Sequence, residues 1–335
     1  MSISVSSVRK PASLSRILTV LGLAGLFSSC IFEDRTCCFL SVGFTYTYHV
    51  KEADAFSFEV KDIALYVFDS EGMFVERFHE NSPDAFPKGY RMILPNLEAG
   101  TYTFVAVGRN RPLQTEVGEF LFPELEAGKS ALKDFTMRLN TANGVSASDF
   151  AALYDGVLRC ELKTGAQYVD IPMVKLTNRI RVILMPYSGA ETLNGEDYRF
   201  AISSGAVHLD YEGKMLSPVP TSFQPFLYAV HSSPSAPEDE VGQAIVADFH
   251  LSRLVVEDKP TLVIAQNEKD IITINLAWLL SLQGIAERRS EWSDQEYLDR
   301  QDAYSIIFFV DRGIFVKTRI IVNGWVLSMN DVSLG

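Results

Sequence analysis

Val42, Phe44, Tyr46, Tyr48 and Val50 alternate with Ser41, Gly43, Thr45, Thr47 and His49, the period of two of a strand with one buried face. From Ile63 to Phe68 both sets are apolar, so this second strand belongs inside a sheet with both faces covered. Asp69-Ser70-Glu71-Gly72 supplies turn chemistry, and Met73 to Phe78 returns as the hairpin partner. Asp69 and Glu71 read as a turn and not a calcium loop, because further oxygen ligands at the required spacing are missing.

Strand signals continue at Tyr90 to Leu94, Thr101 to Val107 and Phe135 to Leu139, the last placed as the closing strand of a first sandwich. Ser146 to Tyr154 reads as a helix linking two domains, with Ser146 or Ser148 as cap and Phe150, Leu153 and Tyr154 as its apolar stripe. Further strands follow at Val169 to Met173, Ile180 to Leu184, Tyr198 to Ile202, Val207 to Tyr211, Phe249 to Val256, Thr261 to Ala265 and Ile271 to Leu276. Ala277 to Ile285 is expected to be helical, and Glu287 to Asp302 to hold helical turns. Tyr304 to Val310 and Phe315 to Val322 are apolar enough to be central strands or joining surfaces. Close strands, few helices and no βαβ rhythm predict an all-β fold of two antiparallel β-sandwiches, 41–145 and 146–335.

Ahead of them stands an export signal. Arg9, Lys10 and Arg16 precede a short apolar run from Ile17 to Phe27, about half the ~20 residues that span a bilayer. Ser28 and Ser29 then lead into Cys30. Cleavage there leaves residues 1–29 as a lipoprotein signal peptide and Cys30 as a lipidated amino terminus, with 30–40 as tether. Phe27 stands where an aliphatic residue is usual, and ordinary secretory cleavage is the alternative.

The formal charge is −12 over 335 residues and becomes more negative when the three basic signal residues are lost. Such a surface repels nucleic acid and anionic headgroups. Four cysteines occur, Cys30, Cys37, Cys38 and Cys160, with no spacing for zinc. A disulfide from Cys37 or Cys38 to Cys160 is one state for an exported chain, and buried or free thiols the other. His49, His79, His208, His231 and His250 are scattered, and no nucleophile elbow, phosphate loop or zinc-protease pair is present. No catalytic, cofactor or metal site is expected. The acidic run Glu291, Asp294, Glu296, Asp299 and Asp302 could hold glycosidase carboxylates but fits a solvated face better. Of Trp278, Trp292 and Trp325, Trp292 alone has polar neighbours that suit a surface contact.

These segments resemble the FimB/Mfa-type fimbrial anchor lipoproteins of Bacteroides-like bacteria. Cys30-Ile31-Phe32-Glu33-Asp34 with Cys37 and Cys38 is similar to that family's lipidated start. Val60 to Phe68 with Asp69 and Gly72, then Leu97, Gly100, Tyr102, Phe104 and Ala106, resembles its first sandwich, and Asn178-Arg179-Ile180-Arg181-Val182 the opening of its second. The sharpest likeness is Asp294-Gln295-Glu296-Tyr297-Leu298-Asp299-Arg300-Gln301-Asp302 with Tyr304, Phe308 and Asn323-Gly324-Trp325.

The resemblance implies two transthyretin-like sandwiches, lipid attachment to the outer membrane facing the cell exterior, and strand-mediated joining to fimbrial stalk subunits that fixes attachment and length. The alternatives are a fimbrial tip adhesin and a surface glycan-binding lipoprotein.

Overall fold

The structure is a computed structural model that describes residues 39–95, 97–112, 119–187, 192–232, 243–286, 291–322 and 325–330. Phe39–Thr45 is the middle strand of a three-stranded sheet, antiparallel to Arg91–Pro95 and parallel to Gln167–Pro172. A five-stranded sheet faces it, in the order Val174–Lys175, Leu153–Leu162, Gly100–Arg109, Asp62–Phe68 and Phe74–Asn81. Leu40, Val42, Phe44 and Tyr46 pack there with Ile63, Leu65, Val67, Phe104 and Ala106. Each Val, Leu, Ile and Phe side chain among them contributes roughly 1.5–3 kcal/mol on burial.

Every residue of Asp62–Phe68 is buried, as its two apolar faces require. Ala64, Tyr66 and Phe68 face away from the first core. Phe135 covers them, its ring 4.7 Å from that of Tyr66 and 6.4 Å from that of Phe68.

The second sandwich has a six-stranded sheet, ordered Leu227–Ser232, Gln243–Ser252, Thr177–Pro186, Ala303–Asp311, Ile314–Val322 and Trp325–Asn330. Its partner sheet runs Lys269–Asn275, Thr261–Gln266, Tyr198–Ser204, Thr221–Phe223 and Val145–Ser146. Ile180, Val182, Phe249, Ile306 and Phe308 meet Ile202, Leu262 and Ile264 in this core. Both apolar strands near the C-terminus are paired on each side, in line with the central placement expected of them. The side chain of Ile320 lies outside the described residues.

Several expectations are corrected by long-range pairing. No helix forms at 146–154: Val145–Ser146 is a short strand, and Leu153 opens Leu153–Leu162, which pairs along its length with Gly100–Arg109. A full ladder beside a central strand outweighs one apolar stripe of local helical spacing. Thr136–Leu139 does not close the first sandwich but pairs with Phe120–Leu121 and His208–Asp210 in a separate small three-stranded sheet. The strands between Leu153 and Lys175, placed beyond the boundary at 145 by the sequence, pair with N-terminal strands. Among the described residues three pairings are parallel and the other ladders antiparallel, each parallel pair joining strands distant in the chain. Phe39 and Leu40, counted as tether, already lie in the first strand.

Other local readings agree. Asp69 Oδ1 accepts the amides of Glu71 and Met73 at 2.9 Å each, a side-chain-closed turn that leaves Gly72 at φ +78°. Helices form at Leu276–Ala286 and Asp294–Asp299. They approach closely at Gly284, where a Cβ would stand 3.0 Å from the Tyr297 ring. Among the described residues no helix is long and apolar enough to cross a membrane.

Candidate functional site

The acidic run and the Asn178 segment, far apart in sequence, meet in one clamp. Ser293 caps the helix Asp294–Asp299 by accepting from the Glu296 amide at 3.2 Å. Gln295 follows, its Oε1 taking the Val256 amide and its Nε2 donating to the Leu254 carbonyl, both at 2.9 Å. Asp299 receives the Arg253 guanidinium in a two-pronged pair at 2.8 and 2.6 Å, and Arg253 also donates to the Gly213 carbonyl. Asn178 Nδ2 donates to the Gln301 carbonyl at 2.9 Å while its Oδ1 accepts from Leu254. One buried amide thus ties the central parallel strand pair to the helix.

The same run reaches the N-terminal half. Arg300 pairs with Glu296 and lies 4.2 Å above the Tyr48 ring and 4.6 Å above that of Trp292, while its carbonyl accepts from the Val50 amide. Lys175 Nζ sits 2.5 Å from Asp302 and 3.1 Å from Glu59, and the Tyr154 hydroxyl donates to Glu59 at 2.6 Å. Burial opposes charge on Lys175, but Asp302 and Glu59 outweigh it and raise its pKa. Burial and the Glu59 charge raise that of Tyr154 as well.

Lys175→Ala would leave Glu59 and Asp302 facing each other without a cation. The expected loss is about 2–3 kcal/mol, below the ~3–5 of a fully buried pair because both carboxylates are about a third exposed. Urea unfolding of the purified protein checks this, with Lys175→Arg expected to recover most of the loss.

Glu296, Asp299 and Asp302 are therefore each committed to a cation, and no two of these three stand as a free carboxylate pair. Nor is Trp292 an open platform: it packs partly buried against the larger core under Arg300. Trp278, expected to be packed, is 43% exposed.

The histidines do not converge. His79 Nε2 donates to Asp62 at 2.9 Å, and Asp62, 1% exposed, is also held by Arg109 at 2.9 Å. Burial raises the Asp62 pKa, but His79 and Arg109 together bring it below the usual carboxylate range. His250 is buried, its ring stacked 4.0 Å from Phe150. His49 reaches the Ala53 carbonyl, and His208 and His231 lie in separate strands. Among the described residues no group of histidine, cysteine and carboxylate side chains could hold a metal ion. Cys160, half-buried, points toward the N-terminal core, and burial raises its thiol pKa. Cys30, Cys37 and Cys38 lie outside the described residues.

Missed by sequence reasoning was the clamp itself. Its signal was present as the acids Asp294, Glu296, Asp299 and Asp302 around Arg300, which a solvated-face reading did not connect to Arg253 and Lys175.

The fold is thus a two-sandwich β protein whose motif residues brace its own halves. A family model for the fimbrillin-A associated anchor proteins Mfa1 and Mfa2 matches residues 35–331, and the chain belongs to that family, which is a fimbrial anchor and adhesin family and not an enzyme family. Among solved structures it is similar to a candidate polysaccharide-binding protein from Bacteroides thetaiotaomicron, with 29% identity, TM-score 0.75, and 88% of this chain and 99% of that one covered. A candidate adhesin from the same species shares 26% identity, with TM-score 0.76 and the same coverage. The fimbrial anchor protein Mfa2 from Porphyromonas gingivalis, 18% identical over 87% of this chain and 98% of that one, shares the fold with TM-score 0.62. No curated protein matches the sequence.

Proposed function

We propose that the chain is a lipid-anchored minor fimbrial subunit that holds fimbriae to the outer membrane through Cys30, faces the cell exterior, and takes part in setting fimbrial assembly and length. The observation that carries this reading is the anchor-family match over 35–331, with the Arg9–Cys30 export segment directly before it. Two acyl chains on Cys30 suffice for stable attachment, because each buried methylene contributes ~0.8 kcal/mol. Stalk subunits join by strand-mediated contact, in which main-chain hydrogen bonds provide affinity and side-chain pockets provide choice. The clamp suits this role: a pulled anchor needs its two halves braced, and Lys175 and Arg300 brace them.

A glycan-binding role calls for an exposed aromatic platform, and Arg300 covers the Trp292 ring. The adhesin reading draws on the candidate adhesins among the similar structures, and a membrane-held Cys30 favours the base of the fimbria over its tip.

Cys30→Ser tests the proposal. The variant should fold as the parent does yet leave the membrane fraction almost completely. Membrane retention equal to the parent's on cell fractionation contradicts the lipid attachment.

A further inference from the structure

The outer face of the three-stranded sheet presents an apolar row left exposed among the described residues. Ile93, Ser41 and Tyr168 lie side by side across the three strands. Ile93 is 53% and Tyr168 67% exposed. Phe39 stands two residues before Ser41 on the same strand, its ring edge-on to Tyr168 at 6.1 Å.

Beside this row Arg91 is laid flat and its charge consumed. Nε donates to the Ser41 hydroxyl, Nη2 to the carbonyls of Ser41 and Val169, and Nη1 to Asp170, while the guanidinium lies 5.6 Å from the Tyr168 ring centre. Gly43 permits this. A Cβ there would stand 2.6 Å from Arg91 and 2.2 Å from Asp170. The result is a level face with aromatic and aliphatic side chains standing proud and few open charges. At the same end a groove of about 530 Å³ opens between Phe39, Leu97 and Leu162.

What covers the row follows from chain length. Eight residues separate Cys30 from Phe39. Fully extended, nine steps of at most ~3.6 Å reach about 30 Å, less than the span of a domain. Surface next to Phe39 is therefore held near whatever Cys30 is embedded in, at a high effective concentration. Tyrosine and phenylalanine suit a membrane–water boundary, because each offers an apolar body and tyrosine keeps a wet tip.

We propose that Phe39, Ile93 and Tyr168 form a second membrane contact, resting on the headgroup region of the bilayer that holds Cys30. The inference rests on lipidation of Cys30. The chain's negative charge selects uncharged or zwitterionic headgroups, since anionic ones would repel it. Contact at two points fixes how the body stands on the membrane, which lipid on Cys30 alone does not do.

The test uses the full-length lipidated protein in phosphatidylcholine vesicles, with Tyr168→Trp as reporter and Tyr228→Trp, on the edge strand of the six-stranded sheet, as control. After subtraction of the parent's emission, Tyr168→Trp should shift to the blue and lose at least half its intensity when the lipids are brominated near the headgroup. Tyr228→Trp should do neither. Unquenched Tyr168→Trp in protein that floats with the vesicles overturns the proposal while leaving the lipid anchor standing. So does a blue shift that needs only raised protein concentration without lipid, which assigns the row to a second copy of the chain. Protein that fails to float contradicts the lipid anchor itself and removes the ground for this contact.

Discussion

Ile306→Asp is expected to abolish the cooperative thermal transition of the purified protein, whereas Ile307→Asp, one residue along the same strand, leaves it in place. Ala303–Asp311 lies between Thr177–Pro186 and Ile314–Val322, and its even-numbered residues point inward. Ile306 and Phe308 are 0% exposed within the larger core. A carboxylate at 306 would lose its hydration with no cation in reach, a cost of at least about 4 kcal/mol and comparable with the whole stability of many domains. Ile307 is half-buried on the outer face. A charge there can reach water, so the expected cost is about 1 kcal/mol. Ile307→Asp is thus the informative variant for assembly: fimbrial attachment lost with the fold intact would place a joining surface on this outer face. Differential scanning calorimetry separates the two variants, and equal unfolding of both would contradict the stated facing of the strand.

The second large effect is expected on acidification. Burial foremost, then the charges of Arg179, Lys175 and Arg111, lower the His250 pKa to about 3, while the Phe150 backbone acts weakly the other way. Asp149 stands 3.3 Å from Nδ1, but Arg179 already occupies its carboxylate. The ring is therefore neutral in the folded protein at physiological pH. The unfolded chain takes up a proton near the ordinary histidine value of ~6.5, so the folded state binds fewer protons below that pH and stability falls as pH falls from there toward 3. Between pH 7 and pH 4 this one group removes about 3 kcal/mol. Asp62, with its lowered pKa, adds a loss at still lower pH through the same sign. His250→Phe keeps the stack on Phe150 and cannot titrate. Its stability, measured by urea unfolding across pH 4–7, should therefore fall less than the parent's by about that amount, and parallel curves would contradict a buried neutral His250.

Period-two runs revealed most strands because a half-buried strand must alternate, and the doubly apolar run at Ile63–Phe68 correctly implied cover on both sides. The partners of those strands were not legible. Leu153–Leu162 carries residues that suit a helix stripe in isolation, and its ladder with Gly100–Arg109 exists only in the folded chain. The clamp was half legible. Asp294 to Asp302 stood out as a motif, yet Lys175, Arg253 and Tyr48, which give it meaning, lie between about 40 and 250 residues away. The aromatic row at Phe39, Ile93 and Tyr168 had no sequence signal, since three strands from distant parts of the chain supply it.

The central claim is that this chain holds fimbriae to the cell through lipid on Cys30. It is tested most directly in cells whose own copy carries Cys30→Ser, by counting fimbriae on the cell surface in electron micrographs and fimbrial protein in the culture medium. The account predicts few attached fimbriae and most fimbrial protein in the medium. Fimbriae attached in normal number, in cells whose variant has left the membrane, would contradict it.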